Sequence, residues 1–350
     1  MSARLLTSIG AGLAARGEGV TFVCCRDSTA EGELARRFPD VARRTLAGRG
    51  NVARILGLKR VVDALRPAAV LVHTEADMVT ASLALGGRGG VVRRLAIGER
   101  FTRSWRTRLA ASRSACLLMG DEIGPQVHTD THVRAAIGWP RVGVQAAGET
   151  PLRLAPAAPP PVLAIVAGTT TPPAQHAAGA AALRAASRLT TRHSSLRVLL
   201  LGAPPELQSM RVHAGSVGLA DRLTIIPLDA LITPGPFDAA AVWVTAQGDE
   251  GAVSIVSAMM RRIPVIVPRG FDTEALVAPR ITGFVADDGD LSGSVAALAH
   301  VLVDANEHHA MGAAAAARAA RLHDWDASLD RTLEALARVS GSRTSRPDAA

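Results

Sequence analysis

Residues Ala241–Val267, AVWVTAQGDEGAVSIVSAMMRRIPVIV, decide the fold. The stretch opens on Ala241–Thr245, an apolar run with β-branched and aromatic residues, and closes on a second such run, Val265–Val267. Pro264 stands just before the second run, where a strand tolerates a residue with no amide donor. Between the two, Val253–Arg262 places apolar side chains at helical spacing. Two strands joined by a helix pair in parallel, because a crossover of that length cannot close a hairpin.

The same alternation extends outward from this unit. Upstream, strands are expected at Val162–Ala167, Leu196–Leu201 and Leu223–Ile226, with a helix near Ala178–Leu189. Downstream come helices at Ser292–Val303, Glu307–Leu322 and Ala327–Val339. The first half repeats the theme with strands at Val20–Cys24, Ala69–Val72, Val91–Ile97 and Ala115–Met119. Helices at Val52–Leu65, Met78–Leu85 and Trp105–Ser112 separate them. This is α/β with mostly parallel sheets. A chain of 350 residues exceeds one ordinary core, so two Rossmann-like domains follow. We expect an N-terminal domain at 1–150, a linker at 151–161, a C-terminal domain at 162–325, a last helix at 326–340 and a disordered tail at 341–350. The linker holds LRLAPAAPPP (Leu152–Pro161), whose prolines admit neither helix nor central strand. The chain opens inside what reads as the helix after a Rossmann domain's first strand, so that strand is expected to be missing or assigned elsewhere.

Composition narrows the partners. The net charge is +8, and Lys59 is the only lysine among 39 basic residues. Such a charge favours anionic ligands. No basic run is interleaved with aromatics, which make up only 3% of the chain, so nucleic acid is excluded as a partner. Cys24, Cys25 and Cys116 show neither metal nor redox spacing, which fits a reducing cytoplasm. No apolar stretch is long enough to span a bilayer. His308–His309 lacks a third ligand at metal spacing, and Gly86–Gly90 (GGRGG) is a helix-to-strand turn rather than a phosphate loop.

An ordered series in the second half resembles the retaining glycosyltransferases of family 4, which have the GT-B fold. The series runs RVLLLG (Arg197–Gly202), GLADRLTI (Gly218–Ile225), Asp249, IPVI (Ile263–Ile266), GFDTE (Gly270–Glu274), TGFV (Thr282–Val285) and HDW (His323–Trp325). In the first half, GLAARGEGV (Gly12–Val20) and RPAAVLVHTEAD (Arg66–Asp77) resemble the family more weakly. The resemblance implies two Rossmann-like domains facing a cleft. It also implies a nucleotide-diphosphate sugar as donor, a glycan or lipid-linked sugar as acceptor, and transfer of a hexosyl group with retention. No cofactor or metal is implied.

The resemblance assigns catalytic roles to His73 and Asp249. It assigns donor binding to Thr169, Thr170, Glu250, Gly251, Ala252, Ser257, Gly270 and Glu274. The family's paired Glu residues fall here on Asp249 and Ser257, so a hydroxyl replaces the carboxylate expected at the ribose. The family's diphosphate-clamping Arg and Lys have no counterpart in GTTTPPAQH (Gly168–His176), and Phe271 replaces a Gly. A catalytically silent GT-B scaffold that binds a nucleotide, a glycan or a partner enzyme is therefore the alternative expectation. Arg93, Arg94, Arg100, Arg103, Arg106 and Arg108 read as a solvated basic face. They also offer an anionic membrane a peripheral contact.

Overall fold

The computed structural model describes residues 2–95, 104–119, 133–136, 161–167, 173–202, 204–232, 237–270, 274–287, 290–303 and 305–340, apart from 27, 29, 30, 33, 36, 37, 48 and 49. The chain divides into two compact units. One holds Met1–Arg141 with Asp326–Ala350, and the other holds Val142–Trp325.

In the first unit, α1 (Ser2–Ala15), β1 (Thr21–Cys25) and β2 (Ala42–Leu46) are followed by α2 (Asn51–Leu65), β3 (Ala69–Val72) and α3 (Glu75–Leu85). Then come β4 (Gly90–Arg94), α4 (Trp105–Arg113), β5 (Ala115–Met119) and β6 (Val133–Ala136). All pairings are parallel, yet the strands form two sheets, β1-β2 and β3-β4-β5-β6. The sequence reading overlooked β2, whose ARRTL is polar and exposed except at Leu46, and β6. It also extended β4 to Ile97; the strand ends at Arg94, and residues 96–103 lie outside the described set.

Helix ends follow local chemistry. Thr74 caps α3 by accepting from the Asp77 amide at 3.0 Å, and Ser104 caps α4 by accepting from the Thr107 amide at 3.1 Å. Gly86, at φ 54°, ends α3 in the left-handed conformation that glycine reaches without a Cβ clash. The GGRGG segment is thus the turn it was read to be.

The second unit runs β7 (Val162–Val166), α5 (Pro173–Thr190), β8 (Arg197–Leu201), α6 (Pro204–Ser216), β9 (Leu223–Ile226) and α7 (Asp229–Ile232). It continues with β10 (Ala241–Val244), α8 (Gly248–Met260), β11 (Val265–Pro268), β12 (Gly283–Ala286), α9 (Leu291–Val303) and α10 (Ala305–Leu322). Its six strands are all parallel in the order β9-β8-β7-β10-β11-β12. Counted from the first strand this is 3-2-1-4-5-6, the Rossmann order. TGFV is strand β12 from Gly283 onward, a strand the sequence reading did not place. A Cβ on Gly283 would meet the Val265 carbonyl oxygen at 2.1 Å, so glycine is what lets β12 approach β11. The core lies between this sheet and its helices, with Leu163, Ile165, Leu183, Val198, Leu200 and Trp243 among its buried side chains.

Set beside that order, the first unit has both wings of such a sheet. Its described residues contain no strand that pairs with both β1 and β3, the place β7 occupies in the second unit. Burial follows suit. β4 is buried throughout, whereas β3 is half-buried up to Val72 and β1 is buried only at Cys24. Burial pushes the thiols of Cys24 and Cys116 above their ordinary value, as suits small core residues.

The last helix, α11 (Trp325–Ser340), returns from Asp326 onward to the first unit. Arg16 grips it through Asp326 at 2.5 Å and Asp330 at 2.6 Å, but both carboxylates are exposed, so solvent screens the pairs and they hold the helix only weakly. Closer packing lies at its far end, where a Cβ on Gly90 would stand 2.2 Å from Val339 Cβ and 2.8 Å from the Val339 carbonyl oxygen. Gly90→Ala should therefore destabilise the first unit by about 1–3 kcal/mol through overpacking, read as a lower urea midpoint at unchanged slope.

Candidate functional site

In an open parallel sheet, ligands bind beyond the carboxyl ends of the strands where the order reverses. In the second unit that point lies between β7 and β10. Thr245, just past β10, locks the two strands there. Its hydroxyl donates to the Val166 carbonyl at 2.9 Å and its amide donates to the same oxygen at 3.0 Å. The chain then turns through Gly248, at φ 62°, into α8.

Helix α8 is buried from Asp249 to Met259 except at the half-buried Val253. Its first turn carries Asp249 and Glu250, only 2% and 6% exposed. Burying two carboxylates is costly, and the positive end of the helix macrodipole offsets part of that cost. The Gly251 amide donates to the Gln247 carbonyl at 3.3 Å, so Gly251 and Ala252 already lie within the helical ladder. The amides that precede the ladder are those of Gly248, Asp249 and Glu250. Ser254 turns back on the helix and donates to the Glu250 carbonyl at 2.7 Å. Ser257 lies two turns further on, 2% exposed, and its hydroxyl has no hydrogen-bond partner among the described residues.

The loop after β11 adds a second group. Gly270, at φ +78°, donates its amide to Glu274 Oε2 at 2.6 Å, while Arg269 reaches Glu274 Oε1 at 3.3 Å and also pairs with Asp287. Glu274 is thus committed to shaping the loops beyond β11 and β12. The structure brings Asp249, Glu250, Gly251 and Ala252 together at one helix terminus and joins Gly270 to Glu274. Thr169 and Thr170, and the side chain of His176, lie outside the described residues.

The first unit has its own polar edge. His73 follows β3 directly, and its Nδ1 lies 3.1 Å from the Arg94 carbonyl, while Arg93 Nε donates to the His73 carbonyl at 3.2 Å. A carbonyl only accepts, so Nδ1 carries the proton and Nε2 is the basic nitrogen. Arg93 and Arg94, expected on a solvated face, are 7% and 1% exposed. They sit on the buried strand β4, so the sequence misread them as surface charge. Arg106 and Arg108 are exposed as expected, and Arg100 and Arg103 lie outside the described residues. His308 is half-buried, with Nε2 2.8 Å from the Ala240 carbonyl.

Sequence reasoning missed Glu75. This side chain accepts from the Ser104 hydroxyl and, at 2.9 Å, from the Thr107 hydroxyl. Burial pushes its carboxyl up, but the two hydroxyls and the nearby Arg93 and Arg106 outweigh that and hold it below the usual carboxylate range. The available signal was Ser-x-x-Thr at 104–107, a helix start whose two hydroxyls face one way.

Among the described residues no group of three or more His, Cys, Asp or Glu side chains is arranged to hold a metal ion. None of their helices is long and apolar enough to cross a membrane.

No family model and no curated protein sequence matches the chain. Solved structures do. A glycosyltransferase from Rickettsia africae superposes with a TM-score of 0.72 at 11% identity, covering 96% of this chain and 94% of that one. HepE of Anabaena, in complex with UDP and glucose, gives 0.69 at 14% identity over 96% of each chain. The sucrose-phosphate synthase of Thermosynechococcus elongatus gives 0.67 at 15% identity, covering 96% and 92%. The fold expected from the sequence, two Rossmann-like units of the GT-B type, is the fold observed.

Because Glu75 titrates below its unfolded value, its contribution to stability is complete above the ordinary carboxylate pKa and is lost as pH falls through the depressed one. Glu75→Gln should therefore flatten the acid limb of the stability–pH curve, seen as a smaller fall in melting temperature between neutral and acid pH. An unchanged acid limb would show that Glu75 does not carry this linkage.

Proposed function

We propose that the protein is a glycosyltransferase of the family 4 type, moving a hexosyl group from a nucleotide-sugar donor to a glycan or lipid-linked acceptor with retention of configuration. The observation that carries this reading is the buried carboxylate pair Asp249–Glu250 on the first turn of α8, beside the switch point of a Rossmann-ordered sheet. The GT-B fold, and its occurrence in proteins solved with UDP and glucose, supports it.

Transfer with retention builds positive charge at the anomeric carbon and negative charge on the departing diphosphate. Asp249 and Glu250 answer the first, accepting from sugar hydroxyls and facing the developing cation. The amides at the head of α8 and the hydroxyls of Thr169 and Thr170 answer the second, as helix N-termini do for phosphate groups. Gly251, Ala252 and Gly270 leave room for close approach, and Glu274 shapes the adjoining loop. His73, with Nε2 as its basic nitrogen, takes the second catalytic role that the family resemblance assigns. Catalysis takes place in the cytoplasm, with peripheral contact to the inner face of an anionic membrane through exposed arginines of the first unit.

A second reading, a silent scaffold that binds without transferring, is favoured by Ser257. At the position that calls for a ribose-gripping carboxylate stands a buried hydroxyl with no partner among the described residues.

Two measurements test these readings. Replacing Asp249 by Asn and Glu250 by Gln together preserves side-chain volume and should abolish binding of UDP-, GDP- and ADP-sugars in calorimetric titration, at a melting temperature close to that of the parent. Retained affinity would remove the site assignment. Ser257→Glu separates the two readings. Under the transferase reading it restores the ribose contact and tightens donor binding about tenfold to a hundredfold. A lower melting temperature without binding, the outcome of burying a carboxylate that finds no partner, would move the case to the silent scaffold.

A further inference from the structure

At the carboxyl edge of β3 and β4 stands a constellation that the donor chemistry does not use. Trp105 is 65% exposed, the only aromatic among the exposed large hydrophobic side chains of the described residues, in a chain with only 3% aromatics. A side chain this exposed contributes little to a core, so folding does not explain it. Its backbone is held firmly, because Trp105 is the first residue of α4 and follows the Ser104 cap. The Arg106 guanidinium lies 5.6 Å from the ring centroid. Ser104 and Thr107 both donate to Glu75 Oε1, tying the first turn of α4 to the first turn of α3. Glu75 Oε2 receives no hydrogen bond from the described residues.

Each part answers one element of a sugar. A flat indole face matches the apolar C–H face of a pyranose ring. A fixed carboxylate oxygen accepts from ring hydroxyls. An arginine fork pairs with a carboxylate or phosphate substituent. The carboxylate also weighs against an anionic bilayer as the occupant, since it repels lipid phosphates while it welcomes hydroxyls.

We propose that Glu75, Trp105 and Arg106 form a subsite for a pyranose bearing an acidic substituent, presented by the acceptor glycan. The inference rests on the transferase reading only in naming that sugar the acceptor.

Calorimetric titration with tetragalacturonate, and with maltotetraose as its neutral counterpart, tests it on the full chain. Wild type should bind the acidic probe more tightly than the neutral one. Trp105→Ala should weaken both by about tenfold and Trp105→Phe by less, while Arg106→Ala should erase the preference for the acidic probe. Trp105 and Arg106 are both exposed, so unchanged melting temperatures confirm that these variants fold. Equal affinity of wild type and Trp105→Ala, or no binding of either probe to wild type, would overturn the subsite. Trp105-dependent sedimentation with phosphatidylglycerol vesicles, without oligosaccharide binding, would overturn it in favour of a membrane contact. Parallel titration with nucleotide sugars keeps the two readings apart. Trp105-dependent oligosaccharide binding in a protein that binds no nucleotide sugar would leave the subsite standing and remove the transferase.

Discussion

Ala241–Val244 pairs in parallel with Leu163–Val166, and the arrangement of the second unit depends on that ladder. The two strands are separated in sequence by β8, β9 and three helices, yet they are neighbours at the centre of the sheet. The chain runs outward from β7 in one direction, then returns to the middle and runs outward in the other. That reversal leaves a crevice at the carboxyl ends of β7 and β10, because the helices that follow them leave on opposite faces. Thr245, bonded twice to the Val166 carbonyl, ties the carboxyl ends of the two strands together. The burial of α8 then decides which residues meet it. A helix apolar on nearly every side has only its first turn to offer to a ligand.

The charge at that turn runs against simple expectation for a phosphate site. Anions are placed where the macrodipole stabilises them, and arginine and lysine are absent from the segment after β7. Carboxylates in such a position suit hydroxyl groups and a developing cation better than a diphosphate, so under the transferase reading a diphosphate would rely on amides and hydroxyls, which are weaker donors than paired cations.

The first unit uses the same architecture differently. Its strands divide into two sheets, and β1 and β3 are less buried than the central strands of the second unit. Its cohesion relies more on capped helices, on the close contact of Gly90 with Val339, and on hydrogen bonds between helix termini. Glu75 shows what this achieves, since a single carboxylate oxygen joins α3 to α4. Buried Arg93 stiffens the same edge by donating to the His73 carbonyl, and the Arg94 carbonyl accepts from the His73 ring.

The sequence by itself determined the parallel α/β character, because apolar runs separated by helical spacing have no other economical way to bury both faces of a strand. It also singled out Asp249, Glu250, Gly270 and Glu274 through the order and spacing of motifs, while the burial of the first two on one helix turn and the Gly270–Glu274 hydrogen bond came from the tertiary structure. It could not reveal β2, whose ARRTL carries no apolar alternation, nor the burial of Arg93 and Arg94, whose charge alone argues for solvent. Only the tertiary structure decided that the first unit's strands split into two sheets, that the last helix returns to that unit, and that Ser257 is sealed from water. The reason in each case is the same. Local pattern records what a residue prefers, whereas pairing and burial depend on which distant segments arrive beside it, and those partners lie tens to hundreds of residues away.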